Sequence, residues 1–440
     1  MTDTMKHSLM FVAVGVLILL EGLTDWSFFS GSWNSSLVIL NMGLISAIMA
    51  LGVNLQWGFA GLFNVGIMGF TALGGLAVVL TATAPTPGAW SAGGPAILMA
   101  MVMGALTVVA AVAANRMVPK GRLRALATLA ILVVGFVIYR ALFDPAVEAV
   151  ESINPAISGN IGGLGWPVLL SWPVGGLLAA GAAWLIGKTA LGLRSDYLAI
   201  ATLGIAEIII AILKNEDWLS RGVKNVVGLP RPLPFEVDLQ NDPGFVERAS
   251  GLGMDPVLAS TLYVKLGYAA LFAVVLIALL WMAQMALKSP WGRMMRAIRD
   301  NEVAAQAMGK NVTKRHLQIF VLGSAICGLA GAMMTTLDGQ LTPGTYNPLR
   351  FTFLIWVMVI VGGSGNNFGS VLGGILIWFL WIKVEPMSLE LITLLTSGMS
   401  EDSALKLHLM ENAAHMRLFT MGLILLLVLR FSPRGLIPEK

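Results

Sequence analysis

The feature that most constrains this chain is a recurrence of apolar stretches, each near the roughly 20 residues that a helix needs to cross a bilayer. They fall at about 9–23, 37–53, 65–83, 95–114, 125–143, 166–187, 197–213, 263–286, 317–337, 351–363, 368–383 and 416–431. Lipid offers no partner to a free backbone group, so spanning segments are helices or closed barrel strands, and these runs are too long and continuous for strands. The expected fold is all-α: a polytopic membrane helical bundle of about 10–12 transmembrane helices, a single domain over 1–440. Apolar residues make up 57% of the chain and charged residues 12%, against about 25% charged in a water-soluble domain. A soluble enzyme is thereby excluded. The net charge of +4 does not indicate a nucleic-acid partner, because the basic residues are scattered into short segments between apolar runs.

Their placement predicts orientation instead. With the N-terminus inside, the cytoplasmic segments hold Lys6, the set Arg116, Lys120, Arg122 and Arg124, then Lys188 and Arg194, the cluster from Lys288 to Arg315, and Arg430, Arg434 and Lys440. These are more than half of the 28 Lys and Arg, while Asp144, Glu148, Glu151, Glu216 and Asp217 fall outside. Both termini are therefore expected in the cytoplasm. No small-residue cleavage pattern follows the first run, so an uncleaved first helix is expected. Two external loops are long enough to fold, 214–262 and 384–415. Pro230, Pro232, Pro234, Pro243 and Pro256 limit the first to short pieces of structure. The runs at 351–363 and 368–383 are short enough for a re-entrant pair.

The cytoplasmic segment 288–316 contains SPWGRMMRAIRDNEVAAQAMGKN. Pro290 and Gly292 punctuate its start, Arg293 to Met308 are mostly good helix formers, and Gly309 suits the left-handed position that ends a helix. The spacing predicts one helix outside the bilayer, with Met294, Ala297, Ile298, Ala305 and Met308 along an apolar ridge and charges on its flanks. Such a helix fits a groove in a soluble partner. A basic loop that only fixes topology is the competing reading.

The run RAIRDNEVAAQAMGKNVTKRHLQIFVLGSAICGLAGA (296–332) resembles the cytoplasmic signature of the branched-chain amino acid permease family of ABC importers, in its LivM-type subunit. GFAGLFNVGIMGFTALGG (58–75), LRSDYLAIATLGIAEII (193–209) and VMVIVGGSGNNFGSVLGGIL (357–376) resemble the same family in the same order. The resemblance implies a bacterial inner-membrane permease paired with a homologous LivH-type permease, two cytoplasmic ATPases of LivG and LivF type, and an external substrate-binding protein. It also implies that the 288–316 segment carries a coupling helix, with Arg296, Arg299, Asp300, Glu302, Ala305 and Gly309 meeting an ATPase. The implied substrates are branched-chain amino acids. Urea or short amides are the alternative within the family, and an ATP-independent carrier or channel is the alternative outside it.

Glu207 lies deep in an apolar run, where an ionised carboxylate costs at least ~2–3 kcal/mol unless paired or protonated. It must face protein or water, lining the translocation path or packing against a polar neighbour. Asn54, Gln56, Asn64, Asn366 and Asn367 flank Gly-rich hairpins in the two halves and can either line the path or bond helix to helix. Gly187-Lys188-Thr189 ends like a phosphate loop, but position 182 is alanine and no strand precedes it, so no nucleotide or other cofactor is expected. His7, His316, His408 and His415 lie apart, and no metal site is expected. No nucleophile stands beside a base, so there is no catalytic set. Cys327, the single cysteine, sits inside an apolar run as a small hydrophobe.

Overall fold

The computed structural model describes residues 3–26, 29–154, 159–400 and 403–439, so Lys440 lies outside the described residues. Each expected apolar run forms a helix. They are α1 (Asp3–Leu23), α2 (Trp33–Ala60), α3 (Ile67–Ala82), α4 (Gly94–Met117), α5 (Arg122–Glu151), α6 (Val168–Ala190), α7 (Ser195–Asn215) and α8 (Pro256–Lys288). The shorter α9 (Pro290–Asp300) and α10 (Glu302–Ala307) follow, then α11 (Val312–Asp338), α12 (Pro348–Gly362), α13 (Asn367–Leu395) and α14 (Met416–Phe431). Among the described residues, 10 helices are long and apolar enough to cross a membrane.

Two apolar helices are too short. At 1.5 Å per residue, α3 and α12 reach only ~24 and ~22 Å, less than the ~30 Å hydrocarbon core. The expected short pair, 351–363 and 368–383, is therefore met only in its first member. Its second member is the 29-residue α13, which runs on through Glu385 and Pro386 to Leu395. The other short helix is α3, because α2 ends at Gly61 in a left-handed conformation (φ 69°) and the chain stays non-helical up to Gly66.

The core forms around α2 and α11. Helix α2 packs on α1, α8, α11 and α13, while α11 packs on α3 and α6, and α12 on α13. Glycine lets these backbones touch. A Cβ at Gly331 would strike the carbonyl of Thr71, one at Gly74 that of Gly328, and one at Gly362 that of Gly369. Glu21 of α1 and Lys383 of α13 form a buried ion pair at 2.8 Å, in which Glu21 also accepts from Ser30 and Ser35 at 2.6 and 2.9 Å. Helices α4 and α5 form a hairpin held to the body at one end, where Phe143 packs on Trp218 and the Trp218 amide donates to Glu151 (3.1 Å).

The segment 214–262 holds short helices at Asp217–Ser220, Glu236–Asn241 and Pro243–Gly251. Its two-residue strand Val226–Val227 pairs with Gln340–Leu341 beyond α11. In 384–415, α13 continues to Leu395 and a helix follows at Ala404–Glu411.

Candidate functional site

Helix α9 has Pro290 in its first turn, where a missing N–H costs nothing. It stops at Asn301, whose backbone is extended (φ −156°) and whose side chain accepts from the Ala304 amide (2.9 Å) to start α10. The single helix expected over Arg293–Met308 is thus two helices. An Asn side chain can replace the next helix's missing hydrogen bond, and here that local cap outweighs continuity. Gly309 adopts φ 76° just past α10, as expected.

The expected apolar ridge also divides. Ile298 and Ala305 are buried with Val312 of α11, and Met294 packs against them. Met295 is fully buried. Ala297 faces outward, as do Val303 and Met308, which are 76% and 79% exposed. The inner face thus anchors the pair of helices, and the outer edge of α10 is left uncovered.

The coupling residues fall on both sides of this divide. Asp300, Glu302 and Gly309 are exposed, whereas Ala305 is buried and Arg296 donates to the Leu287 carbonyl (3.3 Å) at the end of α8. Arg299 turns inward. Its guanidinium donates to the Gly58 carbonyl in the last turn of α2, to Glu439 (2.8 Å) and to the neighbouring Asp300 (3.2 Å). Burial alone would lower the basicity of Arg299, but Glu439 and Asp300 outweigh it and hold the group above the usual arginine range. It stays charged at any working pH.

Glu439 belongs to a C-terminal strap that sequence reasoning missed. Beyond α14 the amides of Leu436 and Ile437 donate to the carbonyls of Val361 and Gly362 (both 2.9 Å), Ile437 is fully buried, and the Pro438 carbonyl accepts from Asn366 (3.1 Å). Arg299 therefore joins α9, the end of α2 and a strap seated on the α12–α13 turn. The one available signal was Glu439 itself, the single acid after α14 in a chain whose basic cluster lies between Lys288 and Arg315.

The amide side chains bond helix to helix. Asn54 donates to Asn367 (3.0 Å) and accepts from the Gly365 amide (2.9 Å), so the two Gly-rich hairpins meet at this point. Gln56 donates to the Phe320 carbonyl (2.8 Å) and to Ser324 (3.1 Å), while accepting from Asn64 (2.9 Å). Asn64 in turn accepts from the Gly66 amide (2.9 Å). Asn366 caps α13 through the amides of Phe368 and Gly369. Glu207 stands apart from this network. It is exposed on α7, whose buried face is Leu198, Thr202, Ala206, Ile210 and Leu213.

Sequence comparison shows which known proteins this chain is similar to. The family described as the branched-chain amino acid transport system / permease component matches residues 125–429. The chain belongs to this permease family. Among the relatives of this permease is the high-affinity branched-chain amino acid transport system permease protein LivM of Escherichia coli (strain K12), 31% identical over 234 residues. That match covers 52% of this chain and 53% of the relative, so it spans about half of the relative's length. The probable LivM of Methanocaldococcus jannaschii is 26% identical over 298 residues, 66% of this permease and 74% of the relative. The probable LivH of the same organism is 30% identical over 104 residues, 24% and 32% of the two chains. No solved structure matches. The permease is a multi-pass membrane protein of transport type.

Proposed function

We propose that this chain is the transmembrane subunit of an ATP-driven importer for branched-chain amino acids, set in a bacterial cytoplasmic membrane with both termini inside. It pairs with a homologous LivH-type permease and carries LivG- and LivF-type ATPases at the α9–α10 end. An external binding protein delivers substrate at the opposite end, where 214–262 and 384–415 lie. The observation that carries this reading is the build of α9–α10: an uncovered outer edge with exposed Asp300, Glu302, Val303 and Met308, and an inner side tied by Arg299 to α2 and the C-terminal strap. A self-sufficient carrier has no use for a cytoplasmic helix pair wired this way.

Glu207 supports the paired permease. A carboxylate on a spanning helix that its own chain leaves uncovered requires protein or water beside it, not lipid. The similarity to both LivM and LivH relatives supports a homologous partner as well. In this mechanism ATP closes the two ATPases, α9–α10 moves with the cleft that holds its outer edge, and Arg299 passes the displacement to α2 and the α12–α13 turn. The coupling is a rigid-body shift driven by differential contact with the two ATPase states. The Asn54, Gln56 and Asn64 bonds keep the moved helices together.

The test is uptake of L-leucine into vesicles. The complete importer accumulates L-leucine only with internal ATP, and this chain alone moves none. Uptake by the chain alone overturns the reading.

A further inference from the structure

At the α9 end of the bundle an open cleft of about 560 Å³ runs between α6, α9 and α11. Its floor is fixed, because α6 and α11 meet so closely that a Cβ on Gly187 would lie 2.5 Å from the Leu317 side chain. One face of α11 borders it with Lys314, Leu317, Gln318, Val321 and Leu322, and its other walls are Trp184 of α6 and Trp291 of α9. From Lys314 to Leu322 this face rises ~12 Å. The cleft therefore starts at the charged beginning of α11 and ends among the aliphatic residues of a spanning helix.

Its polar side chains offer donors, and among the described residues no Asp or Glu borders it. The Gln318 carbonyl oxygen accepts from the Trp291 indole (3.3 Å) and from Arg315 (2.9 Å), so the group that Gln318 has left for the cleft is its NH2. Lys314 adds an ammonium. The Trp184 wall carries a second one, because the Lys188 ammonium lies 3.7 Å from that ring's centroid. Cations and an amide N–H at one end and aliphatic side chains at the other match a molecule with an anionic head and an apolar tail. Tryptophan is enriched at the depth of lipid headgroups, and basic pockets between spanning helices suit anionic headgroups. Leu317, Val321 and Leu322 belong to a span, at a depth that lipid reaches and a soluble protein does not.

We propose that this cleft holds one anionic phospholipid, with its phosphate on Lys314, Lys188 and the Gln318 amide and an acyl chain along Leu317, Val321 and Leu322. Trp291 stands in the first turn of α9, so the bound lipid packs the base of α9 against α11. The site requires that the chain lie in a membrane and depends neither on the solute nor on the direction of transport.

The test measures phosphatidylglycerol bound to the purified full chain in detergent, by native mass spectrometry, as the apparent dissociation constant of the first lipid. Wild type holds phosphatidylglycerol more tightly than phosphatidylcholine with the same acyl chains. Lys188→Gln with Lys314→Gln weakens phosphatidylglycerol roughly tenfold or more and leaves phosphatidylcholine unchanged, since two lysines beside the phosphate are lost. Lys120→Gln with Arg122→Gln, which removes as much charge from the exposed turn between α4 and α5, keeps wild-type affinity. Equal phosphatidylglycerol affinity in wild type and the Lys188/Lys314 variant overturns the site, as does an equal loss in the Lys120/Arg122 variant. Displacement of the lipid by millimolar sn-glycerol 3-phosphate overturns it in favour of a free anion. Unchanged lipid affinity with loss of ATPase binding in the Lys188/Lys314 variant overturns it in favour of a protein partner.

Discussion

Replacing Arg299 by Met keeps an apolar stem and removes the charge that joins three elements. The bond to Asp300 contributes little to the joint, because both groups sit on α9 and Asp300 is 67% exposed. The pair with Glu439 is more enclosed, at 24% and 27% exposure, and is worth about 1 kcal/mol. The bond to the Gly58 carbonyl has a charged donor and contributes about 1.5–3 kcal/mol. Together these give roughly 2.5–4 kcal/mol, so Arg299→Met raises the released population about two to three orders of magnitude. Hydrogen exchange reads this at the Leu436 and Ile437 amides, which donate to Val361 and Gly362. Their exchange accelerates by up to that factor, while amides in the middle of α11 keep wild-type protection. In the complete importer the variant hydrolyses ATP with little uptake, because the pull on α9 no longer reaches α2. Unchanged exchange at 436–437 together with normal uptake refutes the joint.

Three further outcomes test the rest. Glu302→Lys reverses a charge on the exposed edge of α10, so membrane insertion is unchanged while ATP hydrolysis separates from uptake; normal uptake removes the case for that edge. Lys383→Met strands buried Glu21 and destabilises the chain by about 3–5 kcal/mol, most of which returns when Glu21→Gln is added. A thiol-reactive dye on heating reports this through Cys327, which is buried until the bundle opens. By the same readout, Gly331→Ala costs about 1–3 kcal/mol, since the new methyl meets the rigid Thr71 carbonyl. Gly181→Ala on α6, where a Cβ meets nothing, instead gains up to about 1 kcal/mol of helix propensity. Equal melting of the two glycine variants removes the argument for close packing at Gly331.

The helices were legible because the bilayer sets one length and one polarity for every span, and both are local properties of the chain. What depends on a distant partner was not legible. Glu385 looks like the start of a loop just past Lys383, yet α13 continues through both because Glu21 neutralises Lys383 inside the bundle and Arg417 pairs with Glu385. By sequence pattern Arg299 falls with the outward-facing residues of its helix, since its bonds to Gly58 and Glu439 are fixed only by tertiary packing.

Glu207 and Lys383 break the same local rule, each placing a charge within or beside an apolar run, and the fold treats them oppositely. Lys383 finds its counter-charge on α1, so its deviation concerns this chain alone. Among the described residues Glu207 has no counter-charge on the helices that pack against α7, and α7 turns it outward. The penalty that a membrane imposes on an uncovered carboxylate does not disappear with the choice of face. In the proposed assembly it is met outside the chain, by a second subunit or by the water between two subunits at the surface of α7 around Glu207.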